Sequence, residues 1–120
     1  KRYLLSLEQR MDVVRDATSA LPNVSVEAFR GLLVHFCAAR GASVIVRGLR
    51  AVTDFEFEFQ IGLANMDMAP AVETVLLLTD PRHIFISSSL VKEIASNGGD
   101  VSRYLPAVAA TAMAEALAKR

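Results

Sequence analysis

Two short segments carry residue types suited to holding phosphate. In Arg47-Gly48-Leu49-Arg50 two guanidinium groups flank a glycine and a leucine. Guanidinium forks bind phosphate oxygens in pairs, and a glycine lets the backbone approach a ligand closely. The same arginines also have carboxylates within reach, because Asp54, Glu56 and Glu58 follow shortly after. The second segment is Ser87-Ser88-Ser89, just ahead of a run with helical apolar spacing. A helix start offers free N–H groups and the positive end of the dipole, so these hydroxyls either cap the helix or donate to phosphate oxygens.

Further polar groups surround these two segments. Glu58 and Asn65 lie on one helical face, where acidic groups either hold ribose hydroxyls or form a solvated surface. His83 lies in the loop before the serines and can meet a base or a phosphate, whereas His35, in the middle of a helical pattern, reads as structural. Neither histidine has the companions of a metal site or a catalytic triad. Gly98-Gly99 follows a helical pattern instead of a strand, so it is no dinucleotide fingerprint, and no Walker loop occurs.

The elements that position these groups alternate in type. Ser6-Leu7-Glu8-Gln9 is a capping-box helix start, and the helix is expected to run to Leu21-Pro22-Asn23. Val24-Ser25-Val26 predicts a short strand. A helix through Leu32, Leu33, Phe36 and Cys37 stops at Gly41, and Ser43-Val44-Ile45-Val46 predicts a strand buried on both faces that ends at Arg47. The next helix is expected from an N-cap at Asp54 to Met68, ahead of Pro70. It is apolar on two sides, with Phe55, Phe59 and Met66 on one stripe and Phe57, Ile61, Ala64 and Met68 on another. That pattern suggests packing between a sheet and a neighbouring subunit. Thr74 to Thr79 predicts a second buried strand, Leu90 to Ser96 a helix closed by Asn97-Gly98-Gly99, and an Ala-rich helix follows Pro106.

Such alternation predicts an α/β fold with a parallel sheet, doubly wound, whose ligands bind beyond the carboxyl ends of the strands. That rule singles out Arg47 to Asp54 and Asp80 to Ser89, which can face one another across a crevice. The chain opens on a capped helix with no strand before it, which suggests a segment upstream of Lys1.

Composition sets the outer bounds. At 120 residues and 52% hydrophobic content the chain is expected to form one domain over residues 1–120. Thirteen Lys plus Arg balance thirteen Asp plus Glu, so no net field selects nucleic acid or an anionic membrane, and neither is expected as a partner. The single Cys37 lies between Phe36 and Ala38, as expected of a buried, reduced thiol in a cytoplasmic protein. No apolar run approaches the roughly 18 residues of a membrane span.

Two longer motifs carry a resemblance. Arg47-Gly48-Leu49-Arg50-Ala51-Val52-Thr53-Asp54-Phe55-Glu56-Phe57-Glu58 resembles the R-G-L-R-x-x-x-D-F-E-x-E signature of bacterial phosphopantetheine adenylyltransferases, members of the nucleotidylyltransferase superfamily. Ile86-Ser87-Ser88-Ser89-Leu90-Val91-Lys92-Glu93 is similar to that family's I-S-S-S-x-x-K-E motif, and Gly98-Gly99-Asp100-Val101-Ser102 with Pro106 to the turn that follows it. The similarity covers the whole chain.

The resemblance implies a Rossmann-like nucleotidyltransferase fold, of which these residues form the C-terminal part. The implied reaction moves the adenylyl group of ATP to 4′-phosphopantetheine, with Mg²⁺ assisting. It implies that Leu33 and Arg47 line the phosphopantetheine site, and that Gly48, Leu49, Arg50 and Glu58 contact ATP, with Arg50 on the triphosphate. It further implies that His83, Ile84, Phe85, Ile86, Ser87, Ser88 and Ser89 wrap the adenine and phosphates, and that Lys1 meets the phosphates of substrate and transition state. Arg50 and Lys1 are thus the implied catalytic residues, no residue is implied as a metal ligand, and a homohexamer with coenzyme A as feedback ligand is implied.

Two departures stand out. The superfamily's T/H-x-G-H motif does not occur in these 120 residues. The family's first strand, first helix and second strand would precede Lys1, so the 120 residues alone are expected to be inactive. His83-Ile84 also replaces the family's usual aromatic-Ser pair. The alternatives are an adenylyltransferase for another substrate such as nicotinamide mononucleotide, which the Arg47 to Glu58 block disfavours, or a nucleotide-binding fragment without turnover.

Overall fold

The computed structural model describes residues 3–120. Within them the chain forms two compact units: Phe29–Phe85, and Ile86–Arg120 together with the segment up to Ala28.

The first of these units holds the sheet. Helix α2 (Leu33–Arg40) stops at Gly41, whose φ of 67° is the left-handed turn that glycine adopts without penalty. Strand β1 (Val44–Leu49), helix α3 (Val52–Met68) and strand β2 (Glu73–Leu78) follow, and then a single 3₁₀ turn (Pro81–His83). β1 and β2 pair in parallel, with Val44 opposite Glu73 and Leu49 opposite Leu78. The core is Val34, Cys37, Ile45 and Val72, with Leu33 and Ala69 packed against it, so Cys37 is the buried free thiol its neighbours predict.

The second unit is helical. α1 (Leu7–Ala17) packs on α5 (Ala107–Ala118), as does α4 (Ser88–Ser96). The expected capping box is present: Gln9 N–H donates to Ser6 Oγ at 3.1 Å, and Ser6 N–H to Gln9 Oε1 at 2.8 Å. At its far end α4 closes in a Schellman turn. Gly98, at φ 80°, donates to the Ala95 carbonyl, and Gly99 N–H donates to the Ile94 carbonyl at 2.9 Å. No helix among the described residues is long and apolar enough to cross a membrane.

Five expectations need correction. Helix α1 ends at Ala17, well short of Leu21, because Thr18 turns its hydroxyl back onto the Val14 carbonyl and the chain enters a turn. Val24–Val26 is not a strand: Val24 N–H closes a turn on the Leu21 carbonyl, and no strand pairs with the segment among the described residues. β1 does not end at Arg47, because Arg47, Gly48 and Leu49 continue the register against Leu76, Leu77 and Leu78. α3 therefore starts earlier, capped by the extended Ala51, and Asp54 sits inside the first turn.

The last correction concerns burial. Only Ile45 of β1 is buried, while Val46 is 60% exposed, so the strand is covered on one face among the described residues. On α3 the residues turned to the sheet are Glu58, Ile61, Gly62 and Asn65, whereas Phe55, Phe57 and Phe59 lie open on its flanks, Phe57 at 61% exposure. Phe55 and Phe59 stack on each other there, with ring centroids 5.6 Å apart.

Candidate functional site

The carboxyl end of β1 divides the expected site residues between two hollows of the Phe29–Phe85 unit. The deeper, of about 220 Å³, is walled by Leu33, Ile45, Arg47, Glu58, Ile61, Gly62, Asn65 and Thr74. The more open one, of about 480 Å³, lies past the strand ends and includes Leu49, Arg50, Val52, Phe55, Thr79 and Ile84. Their linings differ in kind. The deeper hollow holds a cation, an anion and an amide; the open one is mainly apolar with a single guanidinium.

Glu58 dominates the deeper hollow. Arg47 Nε donates to its Oε2 at 2.9 Å and Arg47 Nη2 to its Oε1 at 2.6 Å, a side-on fork. Glu58 and Asn65 are each only 8% exposed, an unusual degree of burial for such residues. The hydrogen bonds from Arg47 hold the Glu58 carboxyl below the usual carboxylate range, against the upward push of burial. The same contact raises the Arg47 guanidinium, so the pair stays charged at neutral pH.

Arg50 is the first residue beyond β1. Its backbone N–H donates to Asp54 Oδ2 at 3.3 Å, and its Nε stands 3.4 Å from the same carboxylate. Asp54 thus fixes the turn between strand and helix without capping the helix. Both arginines pair with the carboxylates that follow them, and Glu56 takes neither.

The structure therefore brings Leu33, Arg47 and Glu58 together in one hollow and Leu49, Arg50 and Ile84 in the other. Gly48 lies within the ladder, opposite Leu77. His83 ends the 3₁₀ turn, where the Asp80 carboxylate caps the start by accepting from Arg82 N–H at 2.9 Å. Phe85 is exposed. Ile86 and Ser87–Ser89 belong to the other unit; there Ser87 is the N-cap of α4, its Oγ accepting from Leu90 N–H at 3.2 Å, which leaves Ser88 and Ser89 in the first turn. Lys1 lies outside the described residues. Of the two sequence readings of Glu58 and Asn65, ribose ligands or a wet face, their burial against the sheet removes the wet face.

The cytidylyltransferase-like family model matches residues 1–94, which include both hollows. The chain is 52% identical to a phosphopantetheine adenylyltransferase of Heliobacterium modesticaldum over 115 residues, 96% of this chain and 68% of that protein. The chain belongs to this family. A phosphopantetheine adenylyltransferase of Caldanaerobacter subterraneus is 44% identical over 119 residues, covering 99% of this chain and 74% of its own length. One from Alkalilimnicola ehrlichii is 51% identical over 114 residues, at 95% and 66%. The chain thus spans about two thirds to three quarters of the length of the phosphopantetheine adenylyltransferases it matches. Both the parallel α/β architecture and the Arg47 to Glu58 block agree with membership of a cytidylyltransferase-like family, although the sheet has two strands among the described residues.

Proposed function

We propose that the protein transfers the adenylyl group of ATP to 4′-phosphopantetheine, giving 3′-dephospho-coenzyme A and pyrophosphate. The observation that carries this reading is the placing of Arg47 and Arg50 in successive hollows along the end of one strand, in a chain of this family. One guanidinium receives the acceptor phosphate and the other the triphosphate. A phosphate oxygen of 4′-phosphopantetheine attacks the α-phosphorus of ATP, the bond from that phosphorus to the bridging oxygen breaks, and pyrophosphate leaves with the electron pair. The protein's part is positioning and charge stabilisation, with little covalent chemistry of its own.

In this reading Leu33 and Arg47 line the acceptor site and Gly48, Leu49 and Arg50 meet ATP. His83 to Ser89 wrap the adenine and phosphates, and Lys1 meets the phosphates. Mg²⁺ would accompany the triphosphate. Bound there, it would neutralise charge on the phosphate oxygens. Coenzyme A, which contains the pantetheine arm, would compete for the acceptor site in a cytoplasmic biosynthetic enzyme.

The test is Arg47→Ala in the full chain, in an assay that follows pyrophosphate. The KM for 4′-phosphopantetheine is expected to rise about 10-fold to 100-fold, the range for losing hydrogen bonds to a charged group, with a smaller change in turnover. An unchanged KM for that substrate removes Arg47 from its site.

A homohexamer is part of the same proposal, supported by the two open flanks of α3, with Phe57 exposed on one and Met66 on the other. The full chain is expected to sediment as a hexamer, and Phe57→Glu to yield smaller species, since a charge at an apolar contact is left without a partner. A monomer in the unsubstituted chain rejects the assembly.

A further inference from the structure

The family resemblance assigns Glu58 to the nucleotide; in the fold each of its oxygens accepts one hydrogen bond from Arg47, and the exposure of the two partners is unequal. The Glu58 side chain is 10% exposed and that of Arg47 is 44% exposed. The carboxylate is therefore the buried anchor, and the guanidinium is the part that reaches the opening. Side-on pairing uses Nε and one hydrogen of Nη2. Of the five guanidinium N–H donors, three are left on the outer edge of the fork. Strand pairing through Val46, Arg47 and Gly48 fixes the arginine backbone, and the fork fixes its tip.

We propose that Glu58 is a positioning residue for Arg47, holding its guanidinium in the orientation that presents the three remaining N–H donors to the phosphate of 4′-phosphopantetheine. This rests on the adenylyl-transfer reading for the identity of the ligand, while the positioning itself rests on the fork. An arginine held at both ends loses little side-chain freedom when an anion arrives. Without the carboxylate the guanidinium keeps its charge but not its aim. The low exposure of Glu58 also explains why the position calls for an anion matched by a fork: an unpaired carboxylate there would be left uncompensated.

The experiment compares Glu58→Gln with the unsubstituted full chain. Calorimetric titrations with 4′-phosphopantetheine and with ATP are run beside kinetics in both substrates. Glu58→Gln is expected to weaken 4′-phosphopantetheine about ten-fold, in Kd and KM alike, and to leave the KM for ATP within about two-fold. In an Arg47→Ala background the same substitution is expected to add nothing, because its only route of action has been removed. A rise in the KM for ATP with the other KM unchanged overturns the proposal, as do effects of Glu58→Gln and Arg47→Ala that simply add. If Glu58→Gln does not fold, Glu58→Asp is used, since it keeps the charge but withdraws it by one methylene. The same split between substrates is expected, and its absence counts against the proposal. An unsubstituted chain that binds 4′-phosphopantetheine yet releases no pyrophosphate overturns the reaction alone, and the binding data then decide the positioning. If that chain binds no 4′-phosphopantetheine, both fall.

Discussion

Arg50→Ala is expected to lower turnover about 10²-fold to 10³-fold, the usual cost of removing one donor aimed at developing negative charge. Arg50 stands where β1 gives way to α3, with its backbone tied to Asp54 and its side chain among Leu49, Phe55 and Ile84 in the open hollow. Those apolar walls lower the local dielectric, so a charge there counts for more than in water. In the adenylyl-transfer reading the charge on the phosphates grows as the leaving pyrophosphate separates, and the Arg50 contact strengthens with it. The loss should therefore fall on kcat, and the KM for 4′-phosphopantetheine should stay near its original value. Arg47→Ala should do the reverse. Steady-state kinetics on both variants decide the matter: equal losses of turnover with neither KM altered would show that the two roles are misassigned.

Gly99→Val is expected to be the most damaging small change to stability, costing about 3 kcal/mol by overpacking. A Cβ at this position would lie 2.6 Å from the Ile94 Cγ2 and 3.0 Å from the Ile94 carbonyl oxygen. The side-chain contact could yield by a rotation, but the carbonyl cannot, since it accepts the Gly99 N–H that closes α4. Relief would require opening the Schellman turn, which leaves the last carbonyls of the helix without partners. Gly98→Ala makes a useful contrast, because nothing crowds its Cβ and only its φ of 80° is unfavourable, at about 1–2 kcal/mol. Urea denaturation of the three proteins checks the order. A Gly99→Val midpoint at or above that of Gly98→Ala would mean that the turn relaxes freely.

Features decided by near neighbours were legible in the sequence. The Ser6 and Gln9 pair, the stop at Gly41 and the Gly98-Gly99 exit all depend on hydrogen bonds within a few residues, and each stands where its residues predict. The β-branched runs likewise gave the two parallel strands. Where pairing partners come from afar, sequence was a poorer guide. Asp54 is a better N-cap residue than Ala51, yet continued pairing of Arg47 to Leu49 with β2 leaves only Arg50 and Ala51 to make the turn. The buried side of α3 was hidden for a related reason. With apolar residues almost all round, its periodicity did not single out the line of Glu58, Ile61 and Asn65, which only the sheet and Arg47 select. The Arg47 and Arg50 pairings were foreseen as alternatives to phosphate binding; in the fold, Glu58 leaves three of the five Arg47 donors over, so its pairing and the proposed phosphate contact are compatible.

The straight run of β1 as far as Leu49 makes the strand a ruler. Ile45 and Arg47 face the deeper hollow and Leu49 the open one, each a step of two residues or about 7 Å along the pleat. Arg50 comes one residue later, so the interval between the two guanidinium anchors is counted out in backbone units. A single residue inserted between Val46 and Leu49 would put Arg47 or Leu49 on the wrong side of the pleat, whereas exchanging one apolar side chain for another would only reshape a wall. The length of this strand therefore carries as much information about the spacing of bound phosphates as the identity of its arginines.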